Sequence, residues 1–112
     1  MAAMFELKGG GIDVMPDPDD NPEMHVAPNH EAGTRITFAV LSMGDAGGNA
    51  TVGIEVDDQF VTEWKSDFLD PGEQGAGFAS LGRLSAGEHT VLIFVNPGSG
   101  QADHETNTFN VE

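Results

Sequence analysis

The run from His89 to Val95, HTVLIFV, is rich in β-branched and aromatic residues and has no helical period. It reads as a central strand buried on both faces. Gly87-Glu88 leads into it, just as Gly72-Glu73 leads into the weaker run Gln74 to Leu81, which Gly75 and Gly77 dilute. Glycine gives each turn its backbone freedom, so residues 69–96 form two turn-strand units. A chain built around such a strand must cover both of its sides.

The rest of the sequence supplies that cover in the same period. Ile36, Phe38 and Val40 alternate with Arg35, Thr37 and Ala39, and Val52, Ile54 and Val56 alternate with Thr51, Glu55 and Asp57. Asp58-Gln59 can turn the chain into Phe60 to Lys65, where Phe60 and Trp64 fall on one side and Val61 on the other. The last strand runs from Thr106 to Val111, with Phe109 and Val111 inward. Loops are expected at Gly44 to Asn49 and after Pro97. About seven short strands with turn signals between them predict an all-β, immunoglobulin-like antiparallel β-sandwich, one domain over residues 1–112. Residues 1–31 add an edge strand at Met4 to Lys8, a break at Gly9-Gly10-Gly11 and an acidic, proline-rich loop; residues 32–112 hold the core.

The order of features in residues 32–112 resembles the bacterial cell-adhesion-related module CARDB, an immunoglobulin-like sandwich. The resemblance rests on Ile36 to Leu41, the small-residue loop Gly44 to Asn49, Val52 to Asp58, Pro71-Gly72-Glu73, Gly87-Glu88-His89-Thr90 and Glu105-Thr106-Asn107. It implies a non-catalytic module of surface proteins.

Charge narrows the partners. Nineteen Asp and Glu stand against four Lys and Arg, a formal net charge of -15. Such a chain is repelled by nucleic acid and by anionic lipid, so neither is an expected partner. A salty habitat, a basic partner, divalent cations or simple solubility each account for the acidity. There is no Cys, which removes disulfides and thiolate chemistry together. MAAMFELKGGG has no apolar run long enough for a signal peptide or a membrane span.

Asp13, Asp17, Asp19, Asp20 and Glu23 offer carboxylate oxygens within a short span, as calcium requires. Asp17, Asp19 and Asp20 are the expected calcium ligands. Their spacing is not that of an EF-hand, and the prolines between them favour a solvated loop instead. The histidines His25, His30, His89 and His104 are expected to be scattered surface residues, and Asp57-Asp58 to be a hairpin turn. Ser42, Ser80, Ser85 and Ser99 lack a nucleophile-elbow context, so no enzyme is expected. Trp64 can stack on a sugar or fill a partner's pocket, although capping the core suits it better. Leu92 and Phe94 face away from Val91, Ile93 and Val95, so a one-sided core cannot bury both sets. Cover by Phe5, Leu7, Ile12 and Val14 is expected; the alternative makes Leu92 and Phe94 an interface.

These features predict a binding or structural module, not a catalyst. A chain of 112 residues that opens on its own Met, without leader, anchor or sister module, is expected to be an accessory or structural subunit on a multi-protein assembly such as a virion, injection device or surface layer. It would bind protein partners or itself, at an extracellular or particle surface. A cell-surface adhesion module using calcium and a small carbohydrate-binding module around Trp64 are the alternatives.

Overall fold

The computed structural model describes residues 5–7, 12–43, 46–95 and 104–112, and every regular element among them is a β-strand. In chain order these are β1 (Phe5–Leu7), β2 (Asp13–Pro16), β3 (Gly33–Ser42), β4 (Gly48–Val56), β5 (Gln59–Leu69), β6 (Gln74–Arg83), β7 (Gly87–Val95) and β8 (His104–Val111). The expected Gly9-Gly10-Gly11 break, Gly44 and Asp45 of the small-residue loop, the loop at Pro97 and Ser99 lie outside the described residues.

All pairings are antiparallel, and they make two sheets packed as an immunoglobulin-like sandwich. In the first, β6 pairs with β3 from Gly33 to Leu41, while β1 and β2 share the opposite edge of β3 at its two ends. The second has the order β5-β4-β7-β8. The strand beyond the expected seven is β2, whose Pro16 is tolerated because β2 pairs with β3 alone.

Alternation places the core as expected. Ile36, Phe38, Val40, Val52, Ile54, Val56, Val91, Ile93 and Val95 are all buried between the sheets. Phe5, Leu7 and Ile12 join this cluster, and Val14 packs against it. These residues therefore lie between the sheets and do not cover Leu92 and Phe94 on the outer face of β7, which corrects the expected intrachain cover. Both outer residues are half-buried. The Phe94 ring rests over Gly53 of β4, where an added Cβ would fall 2.4 Å from its Cζ.

The glycines that dilute β6 make room for the core. On its inner face, a Cβ at Gly77 would fall 2.3 Å from Cε2 of Phe38, and one at Gly75 would touch Leu69 and Trp64. Phe38 in turn meets Trp64 edge-on, with ring centroids 5.4 Å apart.

Two register shifts fall on β5. Glu55 pairs with Phe60 but Ile54 pairs with Thr62, so Val61 is an extra residue and alternation reverses there. Trp64 consequently points inward opposite Val52 while Phe60 points out, separating two residues that simple alternation put on one side. The turn before β5 is Asp57-Asp58, both at positive φ (51° and 67°), between the paired Val56 and Gln59. That is the two-residue geometry that matches strand twist, here made without glycine.

Candidate functional site

The acidic loop after β2 folds back on the first sheet and meets two of the chain's four Lys and Arg residues. Asp17 is buried, at 5% exposure. One of its oxygens accepts from the main-chain N–H of Asp19 at 2.9 Å and lies 3.3 Å from the Arg35 guanidinium; the other accepts from the Ser80 hydroxyl at 2.8 Å. Arg35 also donates to Asp19 at 3.1 Å. Asp20 takes both arms of Arg83, at 2.9 and 3.0 Å. Main-chain bonds from Asp17 to Gly33 (2.7 Å) and from Gly33 to Asp20 (2.8 Å) close the loop base.

The carboxyl of Asp17 is held below the usual range by the Asp19 N–H first and the Ser80 hydroxyl second, against its burial. That of Asp20 is lowered mainly by Arg83. Calcium needs six or more oxygens free to converge on one point. Here the oxygens of Asp17, Asp19 and Asp20 are engaged by two guanidinium groups, a hydroxyl and an amide, and the three acids form a clasp between loop and sheet. Sequence showed the acids but not their partners, since Ser80 and Arg83 lie 63 residues away from Asp17 and Asp20.

A second polar constellation was not visible from sequence at all. Asp57, in the β4–β5 turn, accepts from Nδ1 of His89 at 2.6 Å and from the Thr90 N–H at 2.9 Å. The other ring nitrogen of His89, Nε2, lies 2.8 Å from the Ser85 carbonyl and 3.4 Å from the Ser85 hydroxyl. Serine, histidine and aspartate thus stand in the order of a hydrolase triad. A triad histidine needs an unprotonated Nε2 facing the hydroxyl. In this arrangement both ring nitrogens face oxygen acceptors, which favours the protonated ring over the neutral base. His89 is a strap between the β4–β5 turn and the start of β7, and its side chain is only 11% exposed.

The Asp57 carboxylate first, and the Ser85 carbonyl second, raise the His89 pKa above 6.5. The Thr90 N–H first, and His89 second, lower that of Asp57. Because the folded His89 value is raised, its stabilisation is fully present below about pH 6.5 and is lost as pH rises through the folded value. The Asp57 contribution has the opposite sign: it is present above the ordinary carboxylate range and lost as pH falls through the lowered value. The expected result is that wild type melts higher than His89→Gln near pH 6 and that this gap narrows as the pH is raised. Thermal melts of both proteins across pH check it, and a gap that widens with rising pH would refute the strap.

Met24, Val26 and Met43 are exposed in loops, and the other exposed large apolar residues lie on two strands. Of the seven phenylalanines, Phe60, Phe68 and Phe78 are exposed, at 62%, 59% and 57%. Phe60 and Phe68 lie on β5 and Phe78 on β6, and Val61 of β5 is also exposed. Among the described residues β5 pairs only with β4 and β6 only with β3, so each is an edge strand. Residues 70–73 join the two directly. Arg35 stacks on the Phe78 ring at 5.1 Å, tying that ring to the aspartate clasp. Trp64, a candidate for an interface or a sugar site but better suited to capping the core, turns its ring into the core against Phe38. Leu92 and Phe94 lie half-buried on the outer face of the sheet that also holds β5, where Leu92 and Phe60 pair with Glu55 of β4 from its two sides.

No family model matches the sequence, and no curated protein matches it. Solved structures match the fold. A GH2 β-galacturonidase from Eisenbergiella tayi bound to galacturonate aligns with a TM-score of 0.67 and 11% identity over 95% of this chain and 18% of its own. β-Glucosidase 3B from Thermotoga neapolitana in complex with α-D-glucose aligns at 0.66 and 15% identity over 97% of this chain and 16% of its own. The β-D-glucoside glucohydrolase from Trichoderma reesei aligns at 0.65 and 15% identity over 98% and 19%. This chain therefore spans less than a fifth of the length of each. At these identities the likeness shows that its fold is a β-sandwich also found as part of longer proteins.

Proposed function

We propose that this chain is a non-catalytic binding and structural module, an accessory subunit on the surface of a multi-protein assembly, working at a particle or cell exterior. The observation that carries this reading is the exposure of three phenylalanines on the two edge strands, Phe60 and Phe68 on β5 and Phe78 on β6. Aromatic rings of this size are the side chains that anchor protein interfaces when buried by a partner. The register shifts in β5 interrupt the flat ladder that strand addition would use, so docking goes through these side chains more than through the strand's backbone. With a net charge of -15 around them, the fitting partner is a protein surface with an apolar centre and a basic rim. The ordered resemblance to CARDB supports the same class of role. So does the occurrence of this fold as a minor part of much longer chains.

Gel filtration of native extract, with the chain followed by antibody, tests the proposal. Wild type is expected in a complex well above its own 11.8 kDa, released by high salt. The exposed-site double variant Phe68→Ser, Phe78→Ser is expected to elute as the free chain while keeping its circular dichroism. Elution of wild type as a free monomer at low and high salt alike would defeat the reading.

A further inference from the structure

The distal part of the acidic loop holds a group of side chains that neither the clasp nor the docking side uses. Glu23, His25 and Glu31 each present one ligand atom, and these three atoms all lie within 4.8 Å of one another. Nε2 of His25 is shut off from solvent and makes no hydrogen bond among the described residues. It stands 3.5 Å from Oε2 of Glu31, too far for a hydrogen bond between them. Two ligands of a tetrahedral ion with bonds near 2.0–2.1 Å are separated by about 3.4 Å, so this spacing is the one a bound cation would impose.

Both arms of the group are fixed before any ion arrives. The Asn21 side chain accepts from the His25 N–H at 2.8 Å and donates to the His25 carbonyl at 3.0 Å. Between them Met24 takes a positive φ of 54°, its N–H bonded to the Asn21 carbonyl at 3.1 Å. On the other arm the Asn29 side chain accepts from the Glu31 N–H at 2.9 Å, and Ala32 donates to the Asn29 carbonyl at 3.1 Å. His30 is next to this arm. Its Nδ1 faces the main-chain oxygen of Glu112 at 2.9 Å, which leaves Nε2 as the nitrogen for a cation, 3.9 Å from the second oxygen of Glu31. A metal-bound histidine characteristically donates its other ring N–H to such a carbonyl.

The geometry points to a divalent transition-metal site formed by Glu23, His25 and Glu31, with His30 beside it at the second oxygen of Glu31. A mixed set of imidazole nitrogen and carboxylate oxygen suits zinc and its first-row neighbours over calcium, and the absence of Cys removes the softer alternatives. The surrounding negative charge raises the local concentration of any cation.

Calorimetric titration of the purified chain with zinc, and separately with calcium, decides the matter. One zinc per chain is expected, with calcium much weaker. His25→Gln and Glu31→Gln are each expected to weaken zinc by roughly tenfold or more. These variants lie in a surface loop, and circular dichroism checks that they fold. In the wild type, zinc is expected to shift the imidazole ¹⁵N resonance of His25 Nε2. No zinc binding by the wild type would overturn the site. So would equal affinity in His25→Gln, the result expected if the acidic surface merely collects ions, or calcium binding as tightly as zinc.

Discussion

Asp17→Ala is expected to lower the free energy of unfolding by about 3 kcal/mol, read as a fall in the urea midpoint at unchanged slope. The size of the effect follows from what the change strands. The Ser80 hydroxyl and the Asp19 N–H lose their acceptor at part-buried bonds, and Arg35 loses its buried counter-charge while still stacked on Phe78. Asp17→Asn keeps an acceptor for one of these donors and loses the charge, so it should fall between wild type and Ala. A loss below about 1 kcal/mol in the Ala variant would show that the clasp is only a surface ion pair.

Gly77→Ala is expected to destabilise the fold by about 2 kcal/mol, although alanine ordinarily improves on glycine within a strand. The new methyl would occupy the space of the Phe38 ring, which is buried and held edge-on by Trp64 and so has no empty space to move into. Combining Gly77→Ala with Phe38→Leu tests the cause. The smaller side chain makes room for the methyl, so the double variant should be more stable than the sum of the two single effects predicts. Strict additivity would place the loss somewhere other than the contact between Gly77 and Phe38.

The same two residues show how far sequence carries. Alternation in β3, β4 and β7 gave the inner faces and with them the sandwich, because a two-residue period survives wherever a strand stays regular. It failed on β5, where the extra residue at Val61 reversed the faces and sent Trp64 inward. Gly75 and Gly77 read as weaknesses in β6 because a sequence shows the missing side chain but not the ring that fills its place.

The candidate sites were less legible, and for a physical reason. The acids of residues 17–20 were visible as a run, but their role is set by Arg35, Ser80 and Arg83, which only the pairing of β3 with β6 brings near. His89 read as a surface residue because Asp57, 32 positions earlier, reaches it only once β4 has paired with β7. Within the loop itself, His25 and His30 could be seen to lie near acids. The turns at Asn21 and Asn29 that aim His25 and Glu31 at one another could not.

The loop between β2 and β3 also has a mechanical consequence. At its base it is bonded to Gly33 and to the arginines of β3 and β6 in one sheet. Farther along, Pro28 accepts from the Glu112 N–H at 2.9 Å and His30 donates to the Glu112 oxygen at 2.8 Å, just beyond β8 of the other sheet. A pull applied at Glu112 is therefore divided between the β7–β8 ladder and, by way of residues 28–33, the opposite sheet. The last strand is loaded together with the body of the sandwich and is not peeled away from it alone.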